Sequence, residues 1–113
     1  MATAPSPVKS FPAVFVDGAS EAIARNSDRR YFVHHVVLVK TGAVGGAGDT
    51  MTVAINLVTT AFFDLNGVAT GTVVVDTTLV GTVIEAGQLV SFQPAVGAGD
   101  NGCRVFLDVV SAD

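Results

Sequence analysis

The stretch Thr50-Met51-Thr52-Val53-Ala54-Ile55-Asn56-Leu57 decides the fold, because its larger apolar side chains alternate with small or polar ones without an error. Successive side chains of a β-strand point to opposite faces, so this pattern is typical of a strand with one buried face. A glycine-rich loop at residues 45–49 comes directly before it. We therefore predict a half-buried strand over residues 50–58 with an inward row made of Met51, Val53, Ile55 and Leu57.

The closing segment repeats this arrangement. A second glycine-rich loop at residues 97–102 leads into a stretch in which every second residue is apolar, beginning with Cys103. This pattern predicts a final strand over residues 103–110 with one buried face. Together with mid-strand residues elsewhere, the predicted inward set is Val37, Val53, Ile55, Leu57, Phe92, Val105, Leu107 and Val109.

Other short strands recur along the chain, with turn signals at intervals of about 8–12 residues. Asn66-Gly67 is the strongest short hairpin signal and predicts that residues 68–75 pair back on the preceding strand. Residues 20–25 could hold one helical turn or an irregular crossing. These patterns predict an all-β antiparallel sandwich, jelly-roll-like, of about eight short strands at 11–16, 31–40, 50–58, 62–65, 68–75, 79–84, 89–96 and 103–110.

Two strands carry further information about their position. The centre of residues 31–40 is apolar on both faces, which is expected of a central strand covered on both sides. Pro94 cannot donate a ladder hydrogen bond, so it places the far end of its strand at a sheet edge.

The chain of 113 residues has the size of one domain. Its first ten residues contain Pro5 and Pro7 among small side chains, a composition that favours an extended chain over a helix. We therefore predict an extended N-terminal arm over residues 1–10, docked on a neighbouring subunit or partner, and a single β-sandwich domain over residues 11–113.

Composition excludes several classes of function. The formal net charge is −4, so we expect no nucleic-acid partner, which would require a basic face. Arg25, Arg29 and Arg30 form the only basic cluster, and we interpret it as a solvated or inter-subunit pairing patch. The apolar runs are far shorter than the ~20 residues of a membrane helix, and the first residues lack the pattern of a secretion signal. We expect no membrane partner.

Apolar content favours association with other chains. Half of the residues are apolar, 14% are charged, and the mean hydropathy is +0.57, which is high for a small soluble monomer. The single Cys103 cannot form an internal disulfide, and we interpret it as a small buried apolar residue rather than a nucleophile. The sequence thus predicts a homo-oligomer assembled in a reducing compartment.

No residue pattern predicts a catalytic, cofactor-binding or metal site. The only histidines, His34 and His35, are adjacent on a strand, so regular alternation sends them to opposite faces and prevents joint ligation of one ion. No serine lies in a nucleophile-elbow setting, and no glycine loop ends in Gly-Lys-Ser/Thr. The carboxylates that stand alone between apolar neighbours are interpreted as solvent-side strand positions: Asp64, Asp76, Glu85 and Asp108.

Asp49 and Asp100 occupy equivalent positions in the two glycine-rich loops. Loops of β-sandwiches often bind Ca²⁺, but calcium needs six to eight oxygen ligands, which neither loop completes. The favoured interpretation is that glycine supplies positive φ and aspartate caps the turn. We therefore expect no metal and no cofactor.

Four segments follow one another in a distinctive order. They read Gly-Asp-Thr-Met-Thr-Val at 48–53, Asp-Leu-Asn-Gly at 64–67, Val-Ile-Glu-Ala-Gly-Gln-Leu-Val at 83–90 and Gly-Ala-Gly-Asp-Asn-Gly at 97–102. Over residues 31–110 this order resembles small β-sandwich domains of tailed-phage virion proteins, such as head decoration proteins and fibre or spike knobs. The resemblance implies a non-enzymatic and often trimeric protein, with an N-terminal arm that lies on a capsid surface.

We therefore expect a virion structural protein, a capsid decoration protein that binds the major capsid protein or another virion protein and is assembled in the host cytoplasm as a homotrimer. Two other functions remain open. One is a glycan- or receptor-binding module of a fibre or spike, which is weakened because Tyr31 is the only tyrosine and tryptophan is absent. The other is a small hydrolase, for which the expected residues are missing.

Overall fold

The computed structural model of the protein describes residues 8–112, which form two antiparallel β-sheets packed face to face. Within these residues no helix is present, and so none is long and apolar enough to cross a membrane. The strands are β1 (Val8–Phe15), β2 (Ile23–Asn26), β3 (Tyr31–Lys40), β4 (Thr50–Ile55), β5 (Thr59–Asp64), β6 (Val73–Asp76), β7 (Val83–Ile84), β8 (Leu89–Ala95) and β9 (Cys103–Ser111).

The strand order confirms the predicted fold class. One sheet has the order β1-β9-β3-β6, with the two-residue β7 also paired to β3, and the other has the order β2-β8-β4-β5. Apart from β7, each sheet therefore has four strands, and the chain crosses between the sheets in the order of a jelly roll. All the pairs of strands are antiparallel.

The first strand begins earlier than predicted. Residues 8–10 pair with the end of β9, with Val8 opposite Val110 and Ser10 opposite Asp108, so they belong to the sandwich rather than to an arm. The remaining residues of the predicted arm, 1–7, lie outside the described residues. The possible helical turn at 20–25 is also wrong, because Ile23–Asn26 forms β2 and pairs with β8.

The predicted Asn66-Gly67 hairpin is wrong as well. The strands on either side of this turn, β5 and β6, lie in different sheets. The hairpin turn lies instead between β4 and β5, where Asn56 and Leu57 have φ values of 54° and 61°. Strand β4 therefore ends at Ile55. The strand predicted over 79–84 is reduced to β7.

Most of the predicted inward set is confirmed, since Val53, Ile55, Phe92, Val105, Leu107 and Val109 are all buried. Two members are wrong. Leu57 is 71% exposed at the hairpin tip. Val37 is only half-buried and lies on the outer face, because the register of β3 shifts between Val33 and His35. After this β-bulge the inward positions are Val36, Leu38 and Lys40.

The sandwich has two distinct ends. The glycine loops at 41–49 and 96–102 contact each other at one end, which we call the glycine-loop end. The opposite end, which we call the N-terminal end, carries the start of β1 and the turns at 56–58 and 85–88. Phe92 is the last residue of β8 that pairs with β2, and Pro94 lies beyond it. At Pro94 the side of β8 that faces β2 is therefore unpaired and forms a sheet edge, as predicted.

Candidate functional site

The outer face of the five-stranded sheet consists of side chains that point away from the core. Antiparallel register sets these residues opposite one another in rows across the sheet, which we call rungs. The rungs are Val14–Arg104–Val39–Val73, then Pro12–Phe106–Val37–Val75, then Ser10–Asp108–His35, then Val110–Phe32–Val83. All of these residues are apolar except Arg104 in the first rung and the three members of the third.

This apolar face differs from the outer face of the other sheet. There the outward residues are mostly small or polar, and Phe62 and Leu89 are the two large apolar side chains among them. On the apolar face, by contrast, Val14, Val73 and Val75 are each more than half exposed. A contiguous exposed apolar patch commonly marks an interaction site. The remaining outward residues of the four-stranded sheet are Ala24, Asn26, Thr50, Thr52, Ala54, Thr60, Asp64, Ser91, Gln93 and Ala95.

The β-bulge in β3 overturns the expectation that the two histidines face opposite ways. His34 is the residue at which the ladder with β9 shifts, and alternation is broken there. The rings of His34 and His35 consequently lie together, with centroids 4.4 Å apart and planes at 44°. Within residues 8–112, no group of three His, Cys, Asp or Glu side chains is arranged to hold a metal ion.

The third rung contains a hydrogen-bonded chain that sequence reasoning did not find. Ser10 Oγ donates to Asp108 Oδ1, and His35 Nε2 lies 2.8 Å from Asp108 Oδ2. The aspartate is in the middle, so the serine hydroxyl is bonded to a carboxylate and not to an imidazole base. A hydrolytic triad requires the histidine between the other two groups. The arrangement is therefore a polar crosslink between β1, β9 and β3.

Asp49 is fully buried and joins the two glycine loops. Its carboxylate accepts hydrogen bonds from the backbone N–H groups of Gly46 at 2.7 Å, Gly97 at 2.6 Å and Gly99 at 2.7 Å. Burial acts to raise the pKa of Asp49, but these three donors and the Lys40 ammonium outweigh it, so that the pKa lies below its ordinary value. The predicted capping role of Asp49 is confirmed and extends across both loops.

The reason for glycine in these loops is partly different from the one expected. Gly48 has a φ of 87°, as the capping interpretation requires. Gly97 and Gly99 instead allow close approach of the backbones: a Cβ at Gly97 would lie 2.2 Å from Ala47 O, and a Cβ at Gly99 would lie 2.3 Å from Gly46 N. Packing of one loop against the other thus excludes larger residues.

Lys40 is buried beneath the same loops. Its Nζ donates to the carbonyl oxygen of Ala43 at 2.5 Å and lies 3.5 Å from Asp100 Oδ1. Asp100 also accepts from the N–H of Gly102 at 2.7 Å, and that bond is the main reason why the pKa of Asp100 is lowered. Burial raises the pKa of Cys103 to about 11, although Lys40 acts in the opposite direction. The thiol is therefore protonated at neutral pH, in agreement with its interpretation as a structural residue.

The remaining candidates form local contacts. Arg25 donates to the carbonyl oxygen of Pro12 at 3.0 Å, which joins the two sheets at one edge, and Arg30 Nε lies 3.2 Å from Glu85 Oε1. Tyr31 is buried, so it offers no surface on which a sugar could stack. Asp64 and Asp76 each accept a backbone N–H two residues further along the chain, as turn-forming aspartates do.

Comparison with known proteins found no matching family model, no matching curated protein and no matching solved structure.

Proposed function

We propose that this protein is a non-enzymatic structural subunit of a virion, a capsid decoration protein that binds an assembled shell of major capsid protein and reinforces it. Its mechanism is additive contact: each copy covers area across a junction between shell subunits, and many copies together stabilise the lattice without a chemical step.

The observation that carries the proposal is the apolar face. A subunit that works by contact must present apolar surface to the other chains of the assembly, its own copies included, and this sandwich does so on one sheet while the outward residues of the other sheet are mostly small or polar. Jelly rolls occur among viral capsid and lectin domains, which supports a role of this kind at the level of the fold alone.

Four buried or partly buried charged residues support the same proposal because each has a structural use. Asp49 fastens the glycine loops, Lys40 and Asp100 pair beneath them, and Asp108 crosslinks three strands. A nucleophile or general base must instead be free to meet a substrate.

The N-terminal end of the sandwich is the surface that we propose for contact with the shell. Residues 1–7 lead into β1 at this end, and the hairpin tip there exposes Leu57 and Val58, which are 71% and 77% exposed. The apolar tip lies at the end where the proline-containing sequence joins β1, and the two together suit docking on a protein surface, since proline lowers the conformational freedom lost on binding.

Co-sedimentation tests this function. Shells assembled from the major capsid protein encoded in the same genome are mixed with the full chain, with a variant lacking residues 1–7, and with Leu57→Asp. Aspartate tolerates a left-handed conformation, so the hairpin should still form in Leu57→Asp. We expect the full chain to pellet with the shells and both variants to bind at least about 10-fold more weakly.

Val44→Asp is the matched control, because Val44 is also more than half exposed but lies at the glycine-loop end. It should bind like the unaltered chain. Failure of the full chain to pellet with its shells would overturn the proposed function.

A further inference from the structure

We propose that the apolar face binds a second copy of this chain, with the two faces packed antiparallel about a two-fold axis at Phe106. This inference rests on the proposed role as an assembling subunit, and it adds which surface joins two copies and in which orientation. It gives a two-fold pair in place of the homotrimer that the resemblance implies.

Arg104 is the first observation. It lies exposed in the first rung, directly between Val14 and Val39. Across residues 8–112 its guanidinium has neither a hydrogen bond nor an ion pair, whereas Arg25 and Arg30 each have a partner. Arg29, the other arginine without one among these residues, lies in the exposed turn before β3 and not on a sheet face. A cation placed among valines on a face suited to docking calls for an anion from the opposing surface.

The outward row of β9 supplies that anion. Arg104, Phe106 and Asp108 follow one another at every second position, so the cation and the anion are equally distant from Phe106. A two-fold axis through Phe106, perpendicular to the strands, places Arg104 of each copy opposite Asp108 of the other. An isologous interface requires this self-complementarity, in which residue i meets j and j meets i.

Neighbouring strands agree with the same axis. Pro12, Val37 and Val75 share the rung of Phe106, so each meets its own counterpart and the centre of the interface is apolar. The first rung of one copy then covers the third rung of the other. The only ionisable side chains of those two rungs, Arg104, Asp108 and the adjacent His35, thereby meet residues of the second copy.

Sheet geometry permits the pairing. Packed sheets lie about 10 Å apart and cross at an angle of about 30°. Because Arg104 lies two positions from the axis, this angle shifts it sideways by only about 3 Å from the Asp108 that it faces in the other copy. An arginine side chain can span both the separation of about 10 Å and this sideways shift. The first two rungs cross four strands and the third crosses three, so the overlap covers roughly 20 by 16 Å. With side-chain relief the two copies bury on the order of 1,000 Å² at most, at the lower limit for a specific interface. We therefore expect micromolar self-association.

Charge reversal in two separate variants tests the orientation. In a homodimer of Arg104→Glu, the introduced carboxylate faces Asp108 twice, and in a homodimer of Asp108→Arg, the introduced guanidinium faces Arg104 twice. Each variant alone should self-associate at least about 10-fold more weakly in sedimentation equilibrium. An equimolar mixture forms two opposite-charge pairs per heterodimer, so it should recover to within about threefold of the unaltered chain.

Because Asp108 also bonds Ser10 and His35, a second pair of variants avoids it. A residue on the axis faces itself, so Phe106→Glu and Phe106→Lys should each repel in homodimers and associate when mixed. Thr60→Glu, on the outer face of the other sheet, is the control and should associate like the unaltered chain. Circular dichroism confirms that each variant is folded.

Sedimentation equilibrium would overturn the inference if the unaltered chain had the mass of one copy at millimolar concentration, or the mass of three copies. Unchanged association of Arg104→Glu would also overturn it. So would mixtures of folded variants that fail to recover. Shell binding is measured separately: Arg104→Glu that pellets with shells but no longer self-associates distinguishes this interface from the proposed function.

Discussion

Asp49 Oδ1 accepts a hydrogen bond of 2.6 Å from the backbone N–H of Gly97, although 48 residues separate the two in the sequence. The bond joins the loop after β3 to the loop before β9. With the further bonds from Gly46 and Gly99, it converts two glycine-rich loops, which would be mobile alone, into one unit that closes the glycine-loop end.

Asp49→Asn should destabilise the fold strongly. The NH₂ group of asparagine would face a backbone N–H that donates to the aspartate in the native protein, so two donors would meet and that hydrogen bond would be lost. The negative charge that strengthens all three bonds would be lost as well. We expect a decrease of about 2–4 kcal/mol in the free energy of unfolding, measured by urea denaturation. Asp64→Asn, in an exposed turn, is the matched control and should change it by less than about 1 kcal/mol. Equal effects of the two substitutions would contradict the role given to Asp49.

The lowered pKa of Asp49 also predicts how stability depends on pH. Its folded-state pKa lies below the unfolded-state value of about 3.9, so the stabilisation is complete above that pH and is lost as the pH falls through the folded value. Asp100 acts in the same direction. Urea denaturation between pH 7 and pH 3 should therefore show a loss of stability in acid that is smaller in Asp49→Asn. Parallel curves would refute this linkage.

Leu57→Gly should stabilise the protein. Leu57 holds a φ of 61°, which costs an L-residue about 1–2 kcal/mol, and glycine adopts it without strain. The greater freedom of glycine in the unfolded chain offsets part of the gain. We expect a net increase of about 0.5–1 kcal/mol in the free energy of unfolding, measured by thermal or urea denaturation. A decrease would mean that the Leu57 side chain contributes to the folded state despite its exposure.

Ile55→Ala should destabilise the protein by about 2–5 kcal/mol, because Ile55 is buried at the end of β4 and its removal leaves a cavity. Urea denaturation measures the difference. Val58→Ala is the control in the same hairpin. Val58 is largely exposed, so its truncation should change stability by no more than about 0.5 kcal/mol.

Two truncations should differ sharply in stability. Removing residues 1–7 leaves β1 intact, and folding should be unchanged. Removing residues 1–10 deletes the Ser10 bond to Asp108 and the Lys9 contacts with Asp28 and Tyr31, together with three paired positions of β1. We expect a fall in melting temperature of several degrees for the longer truncation only. Equal melting temperatures would show that the start of β1 contributes nothing.

Strand positions are predictable where alternation is strict, as in β4 and β9, because period-two patterning reports the buried face directly. The prediction from Asn66-Gly67 fails because this dipeptide, which is favoured in hairpins, lies here in a connection between the two sheets. The hairpin turn is formed by Asn56-Leu57 instead. The prediction for Val37 fails because the one extra residue of the bulge shifts the phase of β3. The apolar face and the bonds of Asp49 depend on long-range register, which local patterns do not contain.

The bulge at His34 has a consequence for which sequence lengths this fold accepts. Strand β3 carries one residue more than its span requires, and the surplus lies where the ladder with β9 shifts. Deleting His34 would join two correctly phased halves into a regular strand and keep the core positions on both sides of it facing inward. A deletion elsewhere in β3, such as that of Val37, would turn every later core residue outward. His34 is thus the position in β3 at which homologues could differ in length while keeping the same core.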